Sequence, residues 1–207
     1  VQTQQPFAAI TPTLDGDVLA VLARADAPFT AGGIQKLLGG RSYAGIRKVL
    51  DRLVEQGTVT SQRVGSVISY RLNREHLVAP HVIALSDLRG TLMGRVRERV
   101  EAWPTRPVWA ALFGSAARGD MRPDSDIDLF LVDPGADADR WDALVDALSG
   151  QVSRWTGNDA RVLTMTEAEV RAGAVSHDPV LRSLLDDALT ISGDPAWLRQ
   201  VVTRARA

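Results

Sequence analysis

Residues 113–132 read Phe113-Gly114-Ser115-Ala116-Ala117-Arg118-Gly119-Asp120-Met121-Arg122-Pro123-Asp124-Ser125-Asp126-Ile127-Asp128-Leu129-Phe130-Leu131-Val132. Two chemical devices stand close together in this stretch. Upstream, Val108-Trp109-Ala110-Ala111-Leu112-Phe113 has the length and apolarity of a buried strand, and Gly114 breaks it. Glycine lets a backbone approach a bulky ligand. Ser115 adds a hydroxyl, and Ala116-Ala117-Arg118 is able to open a helix, whose first N–H groups favour an anion such as phosphate. Downstream, Asp126 and Asp128 are two residues apart on an apolar run. A strand there places both carboxylates on one face, with Ile127 and Leu129 on the other. Two adjacent carboxylates repel each other, and a hard divalent cation relieves that repulsion. Mg²⁺ prefers one or two carboxylates together with phosphate oxygens and water.

Gly114-Ser115, Arg118-Gly119 and Ser125-Asp126-Ile127-Asp128-Leu129 together resemble the signature of polymerase β-type nucleotidyltransferases, above all the small minimal nucleotidyltransferases of bacteria. The resemblance implies a mixed β-sheet with flanking helices, Mg²⁺, and an NTP, ATP first among them. It implies transfer of a nucleoside monophosphate to a hydroxyl of RNA, protein or a small molecule. Gly114 and Ser115 would then hold the triphosphate, and Asp126 and Asp128 would hold metal and serve catalysis. Arg118 matches a frequent family arginine, with a phosphate contact or a salt bridge to Asp120 or Asp124 as its two readings. A lone Gly-Ser turn or a lone Asp-x-Asp is a common surface feature. Both in this order, each tied to an apolar strand, are much harder to obtain by chance.

The same resemblance implies a third carboxylate on a later strand. That strand is expected at Ala160-Arg161-Val162-Leu163-Thr164-Met165, after the turn Thr156-Gly157-Asn158-Asp159. Alignment brings Arg161 near the expected acid, and Asp159 is the nearest carboxylate. An arginine beside Asp126 and Asp128 neutralises them without metal. Two outcomes therefore stay open: transfer, or nucleotide binding without transfer.

The chain has 207 residues, 45% of them hydrophobic, which suffices for two small cores. It contains no Cys, which excludes a disulfide framework, a thiol nucleophile and cysteine-based zinc sites. No run approaches a membrane span and no basic-then-apolar leader opens the chain, so a cytoplasmic protein without a membrane partner is expected. The net charge of −1 is unevenly spread. Residues 1–79 hold nine Arg/Lys against six Asp/Glu, whereas residues 106–207 hold eleven against sixteen. A basic front and an acidic back point to different partners.

In the front part, Leu14 to Arg24 has helical apolar spacing. Thr30 caps a short helix from Ala31 to Leu38, and Ser42 caps a third whose apolar positions are Ile46, Val49, Leu50, Leu53 and Val54. Thr58 to Gln62 and Val67 to Leu72 read as a hairpin about Arg63-Val64-Gly65-Ser66. Over about residues 10–75 this order resembles a winged helix-turn-helix. The resemblance implies DNA as partner. Arg41, Ser42, Tyr43, Arg47 and Lys48 lie at the start of the third helix, where the major groove would be met, and Arg63 lies at the wing tip, where phosphate would be met. Docking of another protein is the competing use of the same surface.

His81 to Trp103 shows Leu85, Leu88, Leu92, Val96 and Val100 at helical spacing, which predicts one long helix able to link the domains or pair with its twin in a homodimer. Asp137 to Trp155 predicts another helix. Thr166-Glu167-Ala168-Glu169 is a capping box, and Asp178-Pro179 and Asp194-Pro195 each look like a helix start. The expected class is α+β: a winged helix-turn-helix domain over 1–78, a connecting helix over 79–106, and a nucleotidyltransferase-like mixed β-sheet with flanking and C-terminal helices over 107–207. The functions compatible with it are an enzyme, a nucleotide-responsive transcription regulator without turnover, and an antitoxin-like docking module.

Overall fold

In the computed structural model, which describes residues 1–135 and 137–206, the chain divides into two compact units, residues 2–88 and 89–207. Both mix helices with sheet. No helix among the described residues is long and apolar enough to cross a membrane.

The first unit contains α1 (Leu14–Arg24), β1 (Phe29–Thr30), α2 (Ala31–Leu38), α3 (Tyr43–Glu55), β2 (Val59–Val64), β3 (Val67–Leu72) and α4 (Ala79–Ser86). Local chemistry sets several boundaries. The side chain of Thr30 accepts the N–H of Gly33 at the start of α2, and that of Ser42 accepts the N–H of Gly45 at the start of α3. Strands β2 and β3 form a hairpin in the register Val59↔Leu72 to Val64↔Val67, closed by Gly65-Ser66. Gly65 takes φ +62°, at the turn position where glycine is favoured. The two-residue β1 adds to the far edge of β3. Val18, Leu22, Ile34, Ile46, Leu50 and Leu72 form the centre of the core.

The stretch expected as one helix over His81–Trp103 is two helices, α4 and α5 (Leu88–Glu101). Asp87 leaves helical geometry at φ −116° and ψ 49°. The Ser86 hydroxyl donates to the Ile83 carbonyl, capping the end of α4 from its own side chain.

The second unit continues with β4 (Ala110–Phe113), α6 (Gly114–Arg118), β5 (Ile127–Asp133), α7 (Ala138–Thr156), β6 (Ala160–Thr166), α8 (Glu167–Val175), α9 (Pro179–Asp187), β7 (Leu189–Ser192) and α10 (Trp197–Arg206). Its sheet has the order β6-β5-β4-β7, with β5 and β6 parallel and the other neighbours antiparallel. Alternation along the strands separates two cores. Leu112, Leu129 and Leu131 pack with Val96, Trp141 and Leu148 on one face. Ala111, Phe130 and Val132 pack with Val170, Leu181, Leu184 and Leu198 on the other. Asp128 precedes Phe130 by two residues and so lies on this second face, beyond its apolar part. The capping box is present, with Thr166 and Glu169 each bonding the other's backbone N–H.

Candidate functional site

Strand β4 ends at Phe113, and Gly114 turns the chain with φ +66° into the short helix α6. A Cβ on Gly114 would lie 2.5 Å from Oδ2 of Asp128, so any side chain there would force the carboxylate out of its present position. The register explains the approach: Phe113 pairs with Asp128 across β4 and β5. Helix α6 has five residues, so its macrodipole is small. What it offers an anion is the Ser115 hydroxyl together with local N–H groups.

On its other side Asp128 pairs with Arg161 of β6. The guanidinium Nη2 of Arg161 reaches Oδ2 of Asp126 at 2.9 Å. Asp126 lies one residue before β5, which begins at Ile127, so the strand expected to carry both carboxylates carries Asp128 alone. Burial first, and the neighbouring Asp126 second, push the carboxyl of Asp128 above the usual carboxylate range; Arg161 and Arg118 pull it down. Asp159 stands before β6, and its backbone carbonyl accepts the Ile127 N–H at 2.8 Å. It is Arg161, not Asp159, that sits level with Asp128.

Arg118 turns to acids of its own chain. Its Nη1 donates to Asp187 at the end of α9 at 2.7 Å, and its Nε donates to Asp120 at 3.2 Å. The salt bridge to Asp120 foreseen as one of the two readings is present, with Asp187 as an unforeseen second partner. Another unforeseen residue is Asn158, 6% exposed, at the turn between α7 and β6. Its Nδ2 donates to the carbonyls of Ser125 at 2.8 Å and Pro123 at 3.3 Å, tying down the loop that delivers Asp126. The sequence offers only a turn signal at Asn158, and nothing that joins Asp187 to Arg118.

A Mg²⁺–nucleotide can be tested against these groups. Asp126 and Asp128 form an all-oxygen set beside a glycine bend kept clear of a side chain, which suits one Mg²⁺ completed by phosphate oxygens and water. Among the described residues no group of three or more His, Asp or Glu side chains is placed to hold a metal. The set fits a single nucleotide-borne ion and does not provide protein ligands for a richer metal centre.

In the first unit, the residues expected to meet DNA differ in availability. Arg41 pairs with Asp17 at 2.6 Å. Arg47 pairs with Asp51 at 3.6 Å and lies over the ring of Tyr70. Ser42 is engaged as the α3 cap. Tyr43 is exposed, and Lys48 and Arg63 make no ion pair among the described residues.

Residues 93–154 match the family model of the nucleotidyltransferase domain. The match takes in Gly114, Ser115, Arg118, Asp126 and Asp128 and ends before Asn158 and Arg161. No curated protein matches the chain. Two solved structures resemble it. One is a toxin–antitoxin crystal structure with AMP-PNP, at 14% identity and TM-score 0.40, covering 57% of this chain and 84% of its own. The other is a mutant of the toxin–antitoxin MntA–HpeT, at 11% identity and TM-score 0.36, covering 55% of this chain and 82% of its own.

Proposed function

We propose that this chain is a nucleotide-responsive DNA-binding regulator whose nucleotidyltransferase domain binds Mg-NTP, ATP first, and does not transfer it. Gly114 and Ser115 take the triphosphate, and Asp126 and Asp128 take its metal. When bound, Mg²⁺ would supply charge neutralisation between the triphosphate oxygens and the two carboxylates. The observation that carries the reading is the Arg161–Asp126 pair at 2.9 Å. Transfer to a hydroxyl needs a neighbouring group that accepts a proton or holds a second metal. A guanidinium does neither, because it stays protonated and only donates. Arg161 therefore satisfies Asp126 in the absence of nucleotide and withholds the activation an acceptor would need.

Titration calorimetry with Mg-ATP should give saturable binding that Asp126→Ala, Asp128→Ala removes; retained affinity in the double variant sinks the metal assignment. Labelled NTPs offered to total RNA and cell protein should leave no labelled acceptor. A labelled acceptor would make the chain a working transferase. Arg161→Asp supplies the missing carboxylate and is the variant in which transfer is expected to emerge.

For residues 10–75, the proposal is a winged helix that meets DNA through α3 and the β2–β3 hairpin. The exposed positions Arg41, Tyr43, Lys48 and Arg63 support it. Arg41 and Arg47 already have acidic partners, so the electrostatic attraction is modest; exposed pairs of this kind exchange readily for phosphate. Gel shifts on the gene's own upstream DNA, across a salt series, decide between DNA and protein docking. Salt-sensitive retardation supports DNA, and salt-insensitive behaviour supports docking.

A further inference from the structure

The first unit contains a cavity of ≈ 390 Å³, walled by the N-terminal segment, α1, and the residues flanking α2. Its size lies within the range of small-molecule sites. Phe7, Ala20, Val21, Phe29 and Leu38 line it with apolar surface, and Leu37, 64% exposed, continues that surface at the rim. The wall exists because α1 has Gly16: a Cβ there would lie 2.6 Å from Cβ of Phe7 and push the N-terminal segment off the helix.

Three charged side chains border the cavity. Asp17 and Arg41 neutralise each other at 2.6 Å. Arg24 makes no ion pair among the described residues, and its guanidinium donates to the Gln4 carbonyl at 3.4 Å, a long contact that leaves most of its donors to solvent. The cavity thus combines an apolar wall, the polar side chains of Gln4 and Gln5, and at its edge one cation with no ion pair among the described residues.

We infer that this cavity is a binding site for a small amphipathic monocarboxylate, its hydrocarbon part against Phe7, Val21 and Phe29 and its carboxylate on Arg24. A neutral ligand would leave Arg24 without a counter-charge, and a cation would face its repulsion. A small inorganic anion would leave the apolar walls wet. An occupant also touches Arg41, the residue before the Ser42 cap of α3, so occupancy is felt where that helix begins.

The test is an amide-resonance titration of the ¹⁵N-labelled full chain with sodium octanoate, 1-octanol, octylammonium and inorganic phosphate in parallel. Octanoate should shift Phe7, Ala20, Val21, Phe29 and Leu38 with saturation, and octanol should bind about tenfold more weakly, the loss of one charge-assisted contact. Arg24→Gln, at an exposed position, should lower octanoate affinity about tenfold and leave octanol unchanged. Octanol binding as well as octanoate, phosphate binding as well as octanoate, octanoate shifts scattered away from the cavity, or no saturable shift at all would each overturn the assignment.

Discussion

Arg161 on β6 holds Asp126, one residue before β5, at 2.9 Å, while its backbone stands level with Asp128. The guanidinium therefore pairs with one of the two acids that a nucleotide's metal would need and acts on the other, Asp128, through its charge alone. It is also 68% exposed in its side chain, so it is able to leave. Removing it should favour nucleotide. Exposed ion pairs are worth about 0.2–1 kcal/mol, so Arg161→Ala should tighten Mg-ATP by about 1.4- to fivefold. Calorimetry checks this; unchanged or weaker binding would show that Arg161 helps hold the triphosphate instead.

Asp128→Asn should raise thermal stability at neutral pH while abolishing Mg²⁺-dependent binding. The native carboxyl is held above its ordinary value of 3.8, chiefly by burial. A group with a raised folded-state pKa contributes stability below its unfolded pKa and loses it as pH rises through the folded value. Above that point the ionised Asp128 is a cost, which asparagine avoids. The melting-temperature gap between variant and parent should be widest near neutrality and should close as pH falls towards 3.8. A gap that widens on acidification would contradict the burial argument.

Asn158→Ala should act at two levels. Losing the bonds to the half-buried Ser125 carbonyl and the exposed Pro123 carbonyl, both within reach of water, costs about 0.5–1.5 kcal/mol by urea unfolding. The loosened loop should also weaken ATP binding in the presence of Mg²⁺ more than in its absence, because the loop positions Asp126 and not Ser115. Equal losses with and without Mg²⁺ would reduce Asn158 to a purely structural residue.

DNA retention, where present, should depend on Lys48 and Arg63. Each substitution to alanine should lower the slope of log affinity against log salt by about one, uniformly across sequences. Unchanged slopes would remove both from the contact surface.

Local rules made much of this architecture legible. Thr30, Ser42 and the Thr166–Glu169 box start helices because each places a side-chain oxygen where an orphan N–H needs it. Gly65 lies in the two-residue turn of the hairpin. The core of the candidate site was legible too, since Gly114 and Asp128 come together by strand alternation and register. What escaped reading depends on long separations or on segments too short to have a period. Asp187 meets Arg118 across 69 residues. Phe29–Thr30 has two residues, and no pattern identifies so short a strand. The break at Asp87 escaped because helical spacing of apolar residues continues on both sides of it without Gly or Pro at the junction.

The clearance at Gly114 makes the locus suitable for genetics. Any L-residue introduced there collides with the β5 acid that the pocket depends on, and its backbone is disfavoured at φ +66°. Gly114→Ala is thus a one-methyl lesion aimed at ligand capture, leaving residues 2–88 chemically untouched. On the proposed reading, a cell carrying that allele would separate the effects that need a captured ligand from those that do not.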